Sequence, residues 1–229
     1  MTHDPAEELD AVAAALAHDL RAPLRAIDGF SRILLSEERV AELPEDLRRY
    51  LALVRDAGTE LAELLDDLVD VVRIGRTTPA LRDVDVTQMT RELIEVVVTP
   101  RAPDVAWAVD DTLPACRADP ALLRRLLEEL LDNAVKFGAA RVEVGWDRDA
   151  RAYVVADDGI GVPGGELPAQ AYEIFGRLHA RDAYPGTGAG LAIARRIAAA
   201  HGGRVWVTGR DGGGACARFT LNGASAGAG

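Results

Sequence analysis

Cysteine, lysine and long apolar runs are all scarce in this chain of 229 residues. The 2 cysteines, Cys116 and Cys216, stand far apart with no neighbouring ligand pattern. That excludes a disulfide framework and a zinc module. No window approaches the ~20 uninterrupted apolar residues of a membrane-spanning helix, because Arg or Asp breaks every Ala-rich stretch. The start, MTHDPAEELD, is acidic and lacks the cationic opening of a secretory signal. Positive charge is short as well: the formal net charge is -11, concentrated in the first third of the chain. Such a field repels a phosphate backbone, so nucleic acid is a poor partner. With 48% apolar and 28% charged residues the balance is globular. Expectation therefore falls on a soluble, cytoplasmic protein with no membrane segment. Of 26 basic residues all but Lys136 are arginine; a coding bias explains the arginines and leaves the single exception open.

The chain changes texture near Thr77-Thr78-Pro79. Before it, two helices are expected. Asp4-Pro5-Ala6-Glu7 and Pro44-Glu45-Asp46 are helix starts. Apolar residues follow at Leu9, Val12, Leu16, Leu20, Leu24, Ile27 and Leu34. In the second helix Leu47, Leu51, Val54, Gly58, Leu61, Leu65, Leu68 and Val72 alternate steps of four and three, the a/d repeat of a coiled coil or helical bundle. A lone hairpin cannot cover both stripes. A second copy completing a four-helix bundle would do so, as would packing on the following domain in a monomer.

After the hinge, strands are expected at Leu81–Val86, Val105–Val109, Arg141–Trp146, Ala152–Ala156, Arg204–Thr208 and Ala215–Leu221. Helices are expected at Thr87–Val98, Pro120–Phe137 and Gly190–His201. The interleaving lacks a regular parallel crossover rhythm. The whole is thus α+β: a dimeric helical hairpin (residues 1–79), an α/β sandwich with a mixed sheet (80–222), and a disordered Gly/Ala/Ser tail (223–229).

Four constellations carry chemistry. His18-Asp19-Leu20-Arg21-Ala22-Pro23-Leu24 sets an imidazole beside a carboxylate, and Pro23 cannot donate to the carbonyl of Asp19. Taken alone this is a solvated histidine. Glu129, Asn133 and Lys136 share one helix face and offer oxygen ligands for a metal and a point charge for phosphate; an ordinary polar stripe would look the same. Asp157-Asp158-Gly159-Ile160-Gly161 follows an apolar run, so a carboxylate at a strand end can accept from an exocyclic amine while the glycines admit a planar base. Alone it is a hairpin turn. Gly186-Thr187-Gly188-Ala189-Gly190-Leu191 exposes backbone N–H groups before a helix. It lies too late in the chain for a dinucleotide fingerprint and lacks the Lys-Ser or Lys-Thr of a Walker loop.

In order and separation the four closely resemble a two-component sensor histidine kinase over residues 9 to 221. Phe175-Gly176-Arg177-Leu178-His179 and Tyr184-Pro185-Gly186-Thr187-Gly188 resemble the phytochrome-type subgroup. The resemblance implies a dimerisation and phosphotransfer hairpin, paired through residues 5–76, and a Bergerat-type ATP-binding domain of the gyrase, chaperone and kinase superfamily. It implies ATP and Mg²⁺ as cofactors, His18 as phosphoacceptor and Asp19 as its general base. It makes Asn133 and Glu129 the metal-holding residues and Lys136 a phosphate contact, which offers a reason for the lone lysine. Asp157, Gly159 and Gly161 would form the adenine pocket; Gly186, Thr187, Gly188, Gly190 and Leu191 would form the phosphate lid. Arg177 would compensate charge on the transferred group. The receiver would be an aspartate of a response regulator, and with only 17 residues ahead of His18 the signal would come from a separate sensory protein or a missing input domain.

Three departures qualify these expectations. Ala22 stands where many members carry Thr or Asn, which implies weak phosphatase activity. Glu129 replaces a frequent Asn, which implies some futile hydrolysis. Of the usual aromatic box only Phe175 remains, with Tyr172 nearby. A plain superfamily ATPase and a non-catalytic phosphotransfer scaffold are the alternatives.

Overall fold

The computed structural model describes residues 5–36, 38–162, 165–176, 186–210 and 212–222; for residues 5–16, 18, 38 and 39 it describes the backbone alone. The expected tail falls outside this range, as do Arg177 and His179. The chain divides into two compact units between Arg73 and Ile74, inside the second helix and ahead of the expected hinge. Among the described residues no helix is long and apolar enough to cross a membrane.

The first unit is a helical hairpin. α1 (Pro5–Ser36) begins at the expected proline and runs through Pro23; α2 (Glu45–Arg76) opens with Glu45 and Asp46, acids that suit the positive end of the helix dipole. Ala17, Leu24 and Leu65 are buried together, with Ala62 and Val69 packed against them. The Arg21 guanidinium donates to Asp66 at 2.8 Å, and Gly58 leaves room for Ile27. This interior takes only part of the apolar stripe. Leu65 and Val72 are buried, but Leu47, Val54 and Leu61 on α2 and Ile27, Phe30, Ile33 and Leu34 on α1 stay exposed, Phe30 to 67%.

The second unit is a layer of helices on a mixed sheet. The sheet order is β2 (Ala106–Val109), β4 (Arg141–Asp147), β5 (Ala152–Asp157), β7 (Ala215–Phe219), β6 (Val205–Gly209). β2 runs parallel to β4 and the other pairs are antiparallel. Helices α4 (Pro120–Lys136) and α5 (Gly190–Ala200) cover the inner face. The buried residues of α4 are Leu123, Leu126, Leu127, Leu130, Leu131 and Ala134, one stripe at helical spacing. Tyr153 anchors the core: its ring stacks on Phe219 at 4.9 Å and meets the edge of Trp146 at 4.8 Å, and its hydroxyl donates to the Pro114 carbonyl.

The first expected strand is corrected. Only Arg82–Val84 is extended (β1), and it pairs with Cys116–Ala118 (β3) in a separate two-stranded sheet. Asp85 turns the chain by accepting from the Gln88 N–H at 2.9 Å, so Val86 opens helix α3 (Val86–Leu93), followed by a wider π turn over Ile94–Val98. Asp-Val alternation looked like a strand because the cap and the strand share an apolar-polar rhythm. β3 is three residues long, too short for periodicity to show.

Asp119 and His201 make a joint between the start of α4 and the end of α5. The Asp119 carboxylate caps α4 through the N–H groups of Ala121 and Leu122 and also receives the N–H of Ala80. Its own N–H donates to His201 Nε2 at 3.0 Å, which fixes Nδ1 as the donor to the Ile197 carbonyl of α5. Gly202, with φ of 71°, ends α5 as expected of a left-handed stop.

Candidate active site

The C-terminal half of α4 is the centre of the site, and three of the four sequence constellations meet there. Glu129 and Asn133 point toward the first residue of α5. A β-carbon on Gly190 would stand 2.5 Å from Glu129 Oε2 and 3.5 Å from Asn133 Nδ2, so only glycine lets the two helices approach this closely. One turn on, Lys136 Nζ lies 3.2 Å from where a β-carbon on Gly186 would be, and it sits over the Phe137 ring at 5.3 Å. Gly186 and Gly188 have φ of 109° and 84°, and the Thr187 hydroxyl accepts from the Ala189 N–H at 3.2 Å. The described part of the glycine loop thus wraps the end of α4. Leu191 is half-buried in the first turn of α5.

The Asp-Gly turn abuts the same helix end. The Ile160 N–H donates to the Phe137 carbonyl at 3.1 Å, and any β-carbon on Gly159 would press on that carbonyl. The two adjacent aspartates have separate duties that spacing did not distinguish. Asp158 faces out, and N–H groups of Arg141 and Ala140, both at 2.8 Å, hold its carboxyl below the ordinary range. Asp157 is 7% exposed. Burial pushes its carboxyl up, opposed by N–H bonds to one oxygen from Gly159 at 2.9 Å and Ala215 at 3.2 Å. The opposing donors leave its other oxygen for a ligand's donor.

Two contributors escaped pattern reading. Ala215 opens β7 far along the chain and reaches Asp157 through its backbone, which no side-chain pattern announces. Its neighbour Gly214 has φ of 91°, and a β-carbon there would strike the Asp157 carbonyl. Arg125 is the second. Its Nη2 is 2.7 Å from Glu129 Oε1, and the four-residue spacing was the available signal. One oxygen of Glu129, Oε1, is therefore engaged by a cation.

The aromatic expected near the lid has a structural duty. The Tyr172 hydroxyl accepts the Val207 N–H at 2.8 Å, while Leu167 donates to the Val207 carbonyl and Gly209 to that of Gly165, so residues 165–172 lie along the free edge of β6. Trp107, Trp146 and Trp206 sit on β2, β4 and β6, as expected of sheet residues. His18 and Asp19 belong to the hairpin unit, both on α1, with Asp19 exposed.

The comparisons agree with this geometry. Residues 118–225 match the family model described as histidine kinase-, DNA gyrase B- and HSP90-like ATPase, and residues 8–77 match the His Kinase A (phospho-acceptor) domain. The methanogenesis regulatory histidine kinase FilI of Methanothrix harundinacea is 31% identical over 93% of this chain and 24% of its own length. The circadian input-output histidine kinase CikA of Synechococcus elongatus is 32% identical over 85% of this chain and 27% of its own. The chain thus spans about a quarter of the curated relatives it matches. Full-length ShkA, solved in complex with AMPPNP, superimposes with a TM-score of 0.67 at 33% identity, over 95% of this chain and 47% of that one. The mycobacterial sensor histidine kinase MprB superimposes at 0.52 with 27% identity, over 62% of this chain and 97% of that one. A phospho-acceptor hairpin followed by a glycine-looped α/β sandwich, matched along nearly its full length, places the chain in the family of two-component sensor histidine kinases, whose catalytic core it carries.

Proposed function

We propose that this chain is an ATP-dependent protein-histidine kinase that phosphorylates His18 and passes the phosphoryl group to an aspartate of a response regulator. The observation that carries this reading is the convergence on α4: the glycine loop against Lys136, Glu129 and Asn133, and the turn after the buried Asp157 at the end of β5 bonded to the Phe137 carbonyl.

Asp157 accepts from the adenine amine, and Gly159 and Gly161 keep that wall free of side chains. Backbone N–H groups of Gly186, Gly188 and Gly190 and the start of α5 receive phosphate oxygens, with Lys136 as the adjacent cation. Asn133 fits a metal-bound triphosphate. Its buried Nδ2 has no hydrogen-bond partner among the described residues, and a phosphate oxygen would satisfy it, while the amide oxygen can face Mg²⁺. Mg²⁺ supplies charge neutralisation across the phosphates. At His18 the Asp19 carboxylate takes the imidazole proton, the freed nitrogen bonds to the γ-phosphorus, and the bond to the bridging oxygen breaks with its electron pair leaving on ADP. Arg177 is the proposed cation for the charge on the moving group.

The exposed stripe of Ile27, Phe30, Ile33, Leu47, Val54 and Leu61 supports a homodimer through residues 5–76, because burying such a stripe is favourable at ~25 cal/mol per Å². Ala22 offers neither hydroxyl nor amide to orient water, so only weak phosphatase activity toward the regulator is expected; a strongly raised dephosphorylation rate would contradict this. The central test is incubation with γ-labelled ATP and Mg²⁺. Acid-labile, alkali-stable label that vanishes in His18→Gln supports the kinase. Phosphate release without protein label marks the ATPase alternative, and neither marks a scaffold.

A further inference from the structure

Consecutive glutamates on α4 face different ways. Glu128 looks outward and shares Arg101 with Asp132, at 3.1 and 3.2 Å. Glu129 looks inward, with a side chain 16% exposed: Oε1 receives Arg125 Nη2 at 2.7 Å, and Oε2 lies against Gly190 at the phosphate end of α5. An ion pair on a solvated helix contributes little. This one is part of the wall against which the glycine loop closes.

A half-sequestered carboxylate beside a phosphoryl group is a ready general base for water, and such a base accelerates attack by about 10²–10⁴. A kinase gains nothing from that reaction, since each hydrolysed ATP leaves His18 unmodified. We propose that Arg125 is a positioning residue that clamps Glu129 against α5 and withholds it from water, so that the terminal phosphoryl group is kept for the imidazole. This rests on the kinase reading above. With the clamp removed, the Glu129 carboxylate accepts a proton from water, the water oxygen bonds to the γ-phosphorus, the bond to the β,γ-bridging oxygen breaks, and ADP leaves with the electron pair beside inorganic phosphate.

The test uses the full chain with ATP and Mg²⁺ and reads phosphate release and acid-labile protein label together. Binding of a fluorescent ATP analogue is measured first. A wild-type chain that binds no nucleotide overturns the kinase reading itself, independently of Arg125. Given binding, Arg125→Met is expected to raise phosphate release per enzyme about tenfold, with nucleotide affinity held within about twofold. Arg125→Lys, which keeps a cation, keeps release low. Adding Glu129→Gln to Arg125→Met removes the rise. A purely structural arginine would not produce a gain of hydrolysis that the second substitution cancels. Should Arg125→Met fail to fold, Arg125→Gln takes its place with the same expectation. Release that stays at the wild-type level, a rise that survives Glu129→Gln, or Glu129-dependent release already high in the wild type overturns the proposal.

Discussion

The hairpin and the α/β unit solve the burial of apolar surface in opposite ways. In the α/β unit the helices and sheet cover each other: Leu123, Leu126, Leu127, Tyr153, Ile193 and Phe219 are all fully buried. Among the described residues of the hairpin, Ala17, Leu24 and Leu65 form a buried cluster, while Ile27, Phe30, Ile33, Leu34, Leu47, Val54 and Leu61 remain exposed. One region is complete in a single chain, and the other has a surface suited to a partner. Their functional residues differ in the same sense. The candidate residues of the α/β unit are held by close contact and by backbone hydrogen bonds; His18 and Asp19 lie on the long helix α1.

The sharpest way to break this contrast is at the contact between α5 and the Glu129–Asn133 face of α4. Gly190→Val would drive a side chain into Glu129 and Asn133, and overpacking of about 1–3 kcal/mol, taken from the nucleotide-bound state, translates to a loss of roughly fivefold to 150-fold in ATP affinity. Titration with a fluorescent nucleotide reads it, and an unchanged affinity would mean the loop does not close on α4 when ligand binds. In the hairpin, Phe30→Asp is expected to weaken self-association by about thirtyfold, the scale of one hot-spot residue, while nucleotide affinity stays put. Sedimentation across a dilution series checks this; a dimer that persists would show that the stripe is covered some other way.

Asp157→Asn comes next. It replaces the acceptor proposed for the adenine amine with an amide that must compete with its own donors, and about tenfold weaker binding is expected. Affinity in the wild type should fall as the pH is lowered toward the raised range of this carboxyl. The smallest effect is thermodynamic and separates the two aspartates. The folded state holds the proton of Asp157 more tightly than the unfolded chain does, so its contribution to stability is full at low pH and is lost as pH rises through the raised value. Asp158 has the opposite sign: its contribution is present above the ordinary carboxylate range, roughly pH 4, and is lost as pH falls through the depressed value. Asp158→Asn should therefore lower the melting temperature at neutral pH and make no difference in strong acid. A constant offset at every pH would show that the Ala140 and Arg141 bonds do not depend on its charge.

How much of this was legible follows from the range over which each signal acts. The α4 stripe and its Glu129–Asn133–Lys136 face are local, and helical spacing alone sets them side by side. The glycines of the loop were legible as a motif, but their partners were not. That Gly190 serves Glu129 and Gly186 serves Lys136 depends on the packing of α5 against α4, which no spacing encodes. Ala215 is the extreme case, a residue whose only contribution is a main-chain N–H reaching across the sheet to Asp157. The heptad of α2 was legible as a seam, yet it does not say which of its members one copy covers: Leu65 is buried and Leu61, four residues earlier, is not. The misread strand at Val86 shows the reverse failure, where a cap hydrogen bond from Asp85 outweighed local β propensity.

The strip laid along β6 has a consequence for handling the protein. An outermost strand offers a row of main-chain donors and acceptors to any passing chain, and unprotected edges are where sheet proteins fuse into aggregates. Here the Gly165–Leu167 backbone and the Tyr172 hydroxyl occupy those groups at Val207 and Gly209. Shortening this segment would uncover a sticky border, and light scattering of such a deletion should rise with concentration before any loss of secondary structure is seen.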